Sequence, residues 1–183
     1  MNEPTSPRVR PGDVLAENFV IERFLGSGGT SDVYVARDRK LDREVAIKLL
    51  RADSIEGKRA NARFEREART LSLVVHPNVV NVYSVGQHHR ALFLVMEYVA
   101  GQSLAQLLES QGPLPLKDAL GIFGQVARGL AEAHAVGVFH RDVKPGNILL
   151  RPLAGGNLLA KVADFGLARS EQPTDLRLTQ SDS

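Results

Sequence analysis

Charged residues interrupt an apolar stretch at residues 138–150, VFHRDVKPGNILL. Asp142 can accept a proton or a hydrogen bond from an attacking hydroxyl, and Lys144 can neutralise a phosphoryl oxygen. Asn147 adds a hard oxygen ligand of the kind that Mg²⁺ takes in proteins. A strand-like run follows these residues and a helical pattern precedes them, so we expect them to lie where elements converge. Such convergence indicates either chemistry or a structural ion pair.

Two further segments carry groups that suit a phosphate and its metal. Asp164 stands at a strand end before Phe165 and Gly166, and a carboxylate there is a ligand that Mg²⁺ favours beside phosphate oxygens. In LGSGGTSDV, residues 25–33, the glycines allow a close backbone approach and leave N–H groups that can face phosphate oxygens. Taken alone, the glycine-rich segment fits an ordinary hairpin turn better.

Lys48 and Glu67 form a possible charge pair between a strand and a helix. In EVAIKLL the period of two places Ala46, Lys48 and Leu50 on one face. Glu67 lies on the apolar stripe of the predicted helix, where a buried carboxylate needs a cation. Lys48 is the natural partner, although a lysine that reaches solvent or a purely structural pair explains each residue alone. Together with the glycine-rich segment and the two acidic loops, the set is what phosphoryl transfer requires.

Composition excludes several other functions. The 183 residues are 43% apolar and 24% charged, which is typical of a globular protein, and 23 basic against 21 acidic residues give no reason to propose a nucleic acid as partner. The absence of cysteine excludes disulfides and thiolate chemistry and fits a reducing compartment. The longest apolar run, residues 91–96, is far shorter than the ~18 residues of a membrane span. We expect a soluble, cytoplasmic chain.

Periodicity predicts a β-rich first half and a helical second half. Three strand-like runs between residues 18 and 50 indicate a meander, and a helix is predicted over residues 56–74. Two strands follow, and then a short helix capped by Ser103 and a longer helix over residues 116–136. Two more strand-like runs, NILL and LLAKV, come next, and the second ends just before Asp164. The longer helix carries an apolar stripe at Leu116, Ala119, Leu120, Phe123, Ala127 and Leu130. Its three glycines each cost ~1 kcal/mol relative to alanine, so it must depend on tertiary packing.

The motifs resemble the signature set of protein kinases, in order and spacing. The matching pieces are the glycine loop from Gly26, VAIK ending at Lys48, Glu67, HRDVKPGN over residues 140–147, and DFG from Asp164. HPNVV and VMEYV are similar to the segment after the C-helix and to the hinge. The resemblance covers roughly residues 12–169 and implies an α+β two-lobe fold, with a β-rich N-lobe bearing the C-helix and an incomplete, mainly helical C-lobe.

The resemblance also implies boundaries within the chain. Residues 1–11 are expected to be a disordered leader, residues 12–99 the N-lobe, and residues 100–169 part of the C-lobe. Residues 170–183 are expected to be the disordered start of an activation loop.

The family implies a role for each matching residue. Lys48 would contact the α- and β-phosphates of ATP and pair with Glu67; Asp142 would be the catalytic base and Lys144 would steady the γ-phosphate. Asn147 and Asp164 would hold Mg²⁺, for which Mn²⁺ can substitute. The residues implied in ATP binding are Leu25, Gly26, Ser27, Gly28, Gly29, Val33, Ala46, Lys48, Met96, Glu97, Val99 and Leu149. A regulatory stack would comprise Leu71, Val82, His140 and Phe165.

Lys144 indicates serine/threonine rather than tyrosine specificity, and the whole is similar to the bacterial, eukaryotic-like (Hanks-type) kinases. The implied partner is a protein with Ser or Thr hydroxyls, and a kinase homodimer is a further candidate. Arg141 implies control by activation-loop phosphorylation, with Thr179 and Ser181 as candidate acceptors, although both also fit a solvated tail. Whether the parent protein is anchored to a membrane stays open.

The chain departs from the family at its end, 17 residues after Gly166 and without an APE motif. We therefore expect a kinase fragment that transfers phosphate poorly by itself. The alternatives are a non-catalytic, pseudokinase-like ATP-binding module, a small-molecule phosphotransferase similar to the aminoglycoside kinases, and a structural domain. The intact lysine and both aspartates disfavour the first, and Arg141 with Lys144 disfavours the second.

Overall fold

A computed structural model describes residues 9–51, 58–89 and 91–165 of the chain. These residues form two lobes, one built on a six-stranded sheet with a helix and the other on two helices and a three-stranded sheet. The α+β two-lobe architecture predicted from the sequence is confirmed. Within the described ranges, no helix combines the length and apolar character that crossing a membrane requires.

The N-lobe sheet has the strand order β1-β2-β3-β4-β6-β5 and is antiparallel throughout. Its strands are β1 (Val14–Leu15), β2 (Phe19–Ser27), β3 (Ser31–Asp38), β4 (Arg43–Leu50), β5 (Val82–His88) and β6 (Ala91–Glu97). Alternating residues such as Ile21, Tyr34, Ile47 and Val95 form a core on one side of the sheet. The period of two therefore gives each strand one face for this core and one for the cleft.

Helix α1 (Lys58–Ser72) covers the other side of the sheet. Phe64, Ala68 and Leu71 recur at helical spacing and are at most 5% exposed, and they join a core that includes Leu50 and Leu94. This core continues into the second lobe, since Ile148, Val162 and Phe165 belong to the same cluster. The two lobes thus share one hydrophobic core.

The C-lobe comprises β7 (Gln102–Ser103), α2 (Leu104–Gln111), α3 (Leu116–Ala135), β8 (Ile148–Pro152) and β9 (Leu158–Val162). The predicted cap at Ser103 is present as a capping box, in which Ser103 Oγ accepts from Gln106 N and Gln106 Oε1 accepts from Ser103 N. Strands β7, β8 and β9 form an antiparallel sheet, and α3 packs against β9.

Asn78, in the HPNVV segment, joins the lobes and is 4% exposed. Its Nδ2 donates to Ala160 O (2.8 Å) and to Gln125 Oε1 (3.1 Å), and its backbone oxygen accepts from Val162 N (2.9 Å). The segment after α1 is therefore bonded to both β9 and α3. The lobes meet through a polar joint whose hydrogen bonds are satisfied.

Two details differ from the sequence predictions. Val9 lies within the expected leader but is 3% exposed and packs in the N-lobe core, so the ordered region begins before residue 11. In α3 the buried residues are Ile122, Val126, Gly129 and Ala133, a stripe that the sequence did not single out because two of its members are small. The predicted stripe is largely uncovered, with Leu116, Leu120 and Phe123 between 58% and 75% exposed.

Gly129 and Gly121 in α3 allow a matched test of this packing. A Cβ at Gly129 would lie 2.6 Å from Asn78 O, whereas a Cβ at Gly121 would have no neighbouring atom within 4 Å among the residues that the structure describes. Gly121→Ala is expected to raise the free energy of unfolding by up to ~1 kcal/mol through helix propensity. Gly129→Ala is expected to lower it by ~1–3 kcal/mol through overpacking at the joint. Urea denaturation of both variants measures this; equal effects would contradict the assigned packing.

Candidate active site

An ion pair between the two lobes lies at the centre of the site. Lys48 Nζ on β4 is 2.7 Å from Asp164 Oδ1, two residues beyond β9, and the side chains are 13% and 39% exposed. Residues 116 positions apart in the chain are thus brought into contact. The structure places the predicted phosphate-binding cation beside the predicted metal ligand.

The position of Asp164 follows from its neighbours. Phe165 is 4% exposed in the shared core with Leu71 and Val82, and its ring lies 4.7 Å from that of His140. His140 Nε2 is in turn 2.8 Å from Ala163 O. Asp164 itself has φ +60, a left-handed conformation that a non-glycine residue keeps only where surrounding contacts hold it. The four residues predicted as a stack therefore lie together and fix Asp164.

The loop between α3 and β8 is closed around Asp142. Lys144 Nζ lies 2.9 Å from Asp142 Oδ2, and Asn147 Nδ2 donates to Asp142 O at 2.9 Å. The backbone N–H of Asp142 donates to His140 Nδ1 at 3.2 Å. Arg141 has φ +62, so this loop, like the turn at Asp164, contains a strained residue. Three predicted residues, Asp142, Lys144 and Asn147, are brought together.

Asn147 and Asp164 fit a hard divalent cation. Asn147, on a short 3₁₀ helix (Pro145–Asn147), uses its Nδ2 to hold Asp142, and its backbone oxygen accepts from Ala163 N at 2.8 Å. The backbone contact brings Asn147 next to the segment that carries Asp164, and the side-chain oxygen of Asn147 is of the type that such a cation binds. Among the described residues no group of three His, Cys, Asp or Glu side chains forms a complete metal site. A cation here would share its coordination with phosphate oxygens, as Mg²⁺ does beside a nucleotide.

The face of the sheet that bears Lys48 supplies apolar walls. Val33 is opposite Lys48 and Ala46 is opposite Met96, and directly opposite residues of antiparallel strands share a face. At the end of β6, Glu97 N donates to Asn81 O at 2.9 Å, and Val99, two residues beyond β6, is 6% exposed. Leu149 pairs with Lys161 in the C-lobe sheet. Of the residues predicted to surround an adenine, all but Val99 lie on β3, β4, β6 or β8, and Val99 follows β6.

The glycine loop between β2 and β3 is closed by a hydrogen bond from Gly28 N to Ser31 O at 2.8 Å. A Cβ at Gly26 or Gly29 would meet no atom of the described residues within 4 Å, and neither glycine has a positive φ. Neither crowding nor backbone strain therefore explains these glycines. Ser31, at the position of a third glycine, is 5% exposed.

Lys161 and Glu97 form a buried ion pair that the sequence analysis missed. Lys161 Nζ is 2.9 Å from Glu97 Oε2 and 3.2 Å from Val79 O, and the two side chains are 5% and 16% exposed. Glu97 Oε2 also lies 3.4 Å from Asn81 Nδ2. The available signal was a lysine within the apolar run LLAKV, where a buried strand face requires a partner for the charge.

The charge of Glu97 also acts on Tyr83. Burial, and then the charge of Glu97, raise the pKa of Tyr83 above its ordinary value of 10.0, while Arg43 lowers it. The Arg43 guanidinium lies 3.9 Å from the centre of the Tyr83 ring. Tyr83 is therefore neutral at physiological pH and serves as a stacking surface near the hinge.

Glu67 lies at a cavity of about 230 Å³ that it lines with Leu71, Arg141 and Phe165, among others. Asp164 lies at ion-pair distance from Lys48, and the pairing of Lys48 with Glu67 stays a prediction. Thr179 and Ser181, the candidate phosphate acceptors, lie outside the described residues.

The buried pair allows a stability test. Lys161→Met leaves the Glu97 carboxylate largely buried without its cation, and we expect a loss of about 3 kcal/mol in the free energy of unfolding. The additional change Glu97→Gln should restore much of that loss, because it removes the uncompensated charge. The matched control is Arg37→Gln, at an exposed pair with Asp42 (2.7 Å), where less than about 1 kcal/mol is expected. Denaturant unfolding measures these losses. Equal losses for Lys161→Met and Arg37→Gln would show that the buried pair stabilises the fold no more than the exposed pair does.

Comparison with known proteins gives a consistent picture. The profile of the protein kinase domain family matches residues 19–181. Serine/threonine-protein kinase PrkC of Bacillus subtilis is 41% identical over 170 residues, which cover 93% of this chain and 26% of PrkC. Serine/threonine-protein kinase PknA of Mycobacterium tuberculosis is 38% identical over 170 residues, 90% of this chain and 38% of PknA. The chain thus spans well under half the length of these relatives.

Solved structures agree with the sequence relatives. A crystal structure of the Mycobacterium tuberculosis PknI kinase domain has a TM-score of 0.76 and 30% identity, and the match covers 87% of this chain and 64% of that domain. The family profile takes in the glycine loop, Lys48, the loop around Asp142 and the turn at Asp164. The chain therefore belongs to the protein kinase domain family.

Proposed function

We propose that the chain carries the nucleotide-binding and catalytic residues of a serine/threonine protein kinase, which transfers the γ-phosphate of ATP to Ser or Thr hydroxyls of a protein. The observation that carries this proposal is the contact of Lys48 with Asp164 next to the closed loop of Asp142 and Asn147. Relatives named serine/threonine-protein kinases support the substrate class.

Nucleotide binding follows from the arrangement of the N-lobe. The glycine loop offers backbone N–H groups and open space, so phosphate oxygens can approach closely. Lys48 supplies the positive charge on the adjacent strand, and Val33, Ala46 and Met96 supply the apolar wall for the adenine. The Glu97 side chain is held by Lys161 and its N–H by Asn81 O, so the backbone oxygen of Glu97 and the backbone of Val99 would serve as the polar edge of the adenine site.

Transfer then depends on the C-lobe loop. Asp142 accepts a hydrogen bond, and finally the proton, from the attacking hydroxyl, and Lys144, 2.9 Å from Asp142, can contact the transferred phosphoryl group. Asn147 and Asp164 would hold Mg²⁺, or Mn²⁺ in its place, which would neutralise charge on the phosphate oxygens. The protein forms no covalent bond to the phosphoryl group in this reaction, so the rate of phosphoryl transfer depends on how these side chains are positioned.

Partners and regulation remain proposals at the level of the family. The second substrate is a protein segment with a Ser or Thr, control runs through Arg141 and phosphorylation at Thr179 or Ser181, and a homodimer is the candidate assembly. We propose that the protein acts in signal transduction on the cytoplasmic side.

A second candidate is ATP binding without turnover. The observation that favours it is the exposed face of α3, where Leu116, Leu120 and Phe123 are uncovered and no described element supplies a platform for a peptide. Calorimetric binding of Mg-ATP without phosphate transfer would support this candidate.

The proposal is tested with Lys48→Met and Asp142→Asn. Lys48→Met removes the phosphate-binding cation and should weaken ATP by about tenfold or more, a loss of at least ~1.4 kcal/mol. Asp142→Asn retains the shape of the side chain and should leave ATP affinity nearly unchanged while reducing transfer by at least about 10²-fold. Titration calorimetry and ³²P transfer from ATP to a generic protein substrate measure the two effects.

The control is Arg37→Gln, which lies at the far end of β3 and should change neither quantity. Phosphate transfer that persists in Asp142→Asn at the unsubstituted rate would refute the assigned base. Absence of ATP binding by the unsubstituted chain would refute nucleotide binding altogether.

A further inference from the structure

Three polar side chains tie the glycine loop to the neighbouring strand. Ser27 Oγ at the end of β2 donates to Asp32 Oδ1 at the start of β3, at 2.7 Å. Arg51, directly after β4, approaches the same oxygen with Nη2 at 2.9 Å and also contacts Ser27 Oγ. Arg51 N donates to Thr30 O at 2.9 Å. We refer to Ser27, Asp32 and Arg51 as the loop clamp.

The loop clamp lies on the opposite face of the sheet from the nucleotide site. Val33 is opposite Lys48, so Asp32 and Arg51, each an odd number of residues away from one of these, point to the other side. On that side Tyr34 is fully buried; burial and then the charge of Asp32 raise its pKa, while the charge of Arg51 lowers it. The loop clamp therefore contacts the glycine loop from the face of the sheet opposite the cleft, where its side chains would not touch a ligand bound in the cleft.

The burial of the clamp makes its geometry specific. Asp32 is 7% exposed, and the Arg51 side chain is 31% exposed, so their ion pair is shielded from water on one side. A carboxylate this buried requires hydrogen-bond donors, and its contacts with Ser27 and Arg51 restrict the positions of those two side chains. The glycines between them supply no side-chain contacts of their own to restrict the loop.

We propose that the loop clamp is a positioning device which holds the backbone N–H groups of the glycine loop where the phosphates of the nucleotide bind. The inference rests on the proposed function and deepens it. Its consequence is selective: the clamp should matter for ligands that carry phosphates and should not matter for a ligand that occupies only the adenine site. A loop that is already ordered loses less conformational entropy when the phosphates bind, so binding is stronger.

The experiment compares Mg-ADP with adenosine by titration calorimetry on the full 183-residue chain. Arg51→Gln and Asp32→Asn should each weaken Mg-ADP by roughly three- to tenfold, the range expected for contacting polar residues, while adenosine affinity stays the same. Arg51→Lys retains the charge and should recover part of the loss. In the double variant the two losses should not add, because either change alone opens the clamp.

The matched control is the exposed pair of Arg37 and Asp42, at the other end of the same hairpin, where Arg37→Gln should leave both affinities unchanged. Equal weakening of Mg-ADP and adenosine by Arg51→Gln would reduce the clamp to a general structural role and overturn the proposal, as would Mg-ADP binding within about twofold of the unsubstituted chain. If Arg51→Gln does not fold, Ser27→Ala decides: selective loss for Mg-ADP supports the clamp, and unchanged binding overturns it.

The two proposals fail in different ways. A chain that binds neither Mg-ADP nor adenosine overturns the proposed function itself. A chain that binds both ligands, but whose clamp variants show no selective loss, overturns only the clamp.

Discussion

The contact between Lys48 and Asp164 is the constraint on which the site depends. Each charge is partly withdrawn from water, so each needs a counter-charge, and Lys48 and Asp164 supply it to one another. The same two groups suit the opposite charges of a nucleotide complex, since Lys48 can face phosphates and Asp164 can face a cation. The pair therefore holds the lobes at a separation where an incoming ligand of matching charges can replace it.

Holding these two groups within 2.7 Å requires rigid supports on both sides. Lys48 stands on a strand with a neighbour on each side, and Asp164 follows β9, whose backbone is hydrogen-bonded to Asn78. The buried pair of Lys161 and Glu97 joins β9 to the hinge only three residues before Asp164. Apolar packing alone would bring the lobes together without selecting one register, whereas these directional contacts select one. Such selection is the best-supported reason for placing charges in an interior where apolar residues would be at least as stable.

The sequence predicted local patterns well and long-range polar contacts poorly. The strands followed from period-two alternation, the helix cap from Ser103, and the loop around Asp142 from residues only a few positions apart. The pair of Lys161 with Glu97 spans 64 positions, so nothing short of the fold brings the two together. The buried face of α3 was missed for a different reason. Gly129 belongs to this face because it has no side chain and so allows close packing, and a search for apolar residues at helical spacing does not detect a glycine in that role.

The glycine loop shows how positioning and freedom coexist in one segment. Its glycines leave open space on the cleft side. Because they have no side chains, the turn makes too few contacts of its own to hold one backbone conformation. The order is instead imposed from the other face, where Asp32 requires donors from β2 and from the end of β4. Because that requirement is met outside the cleft, the surface presented to a ligand can remain bare backbone. The conformational cost of arranging that backbone is then met during folding, which leaves more of the interaction with phosphate as binding affinity.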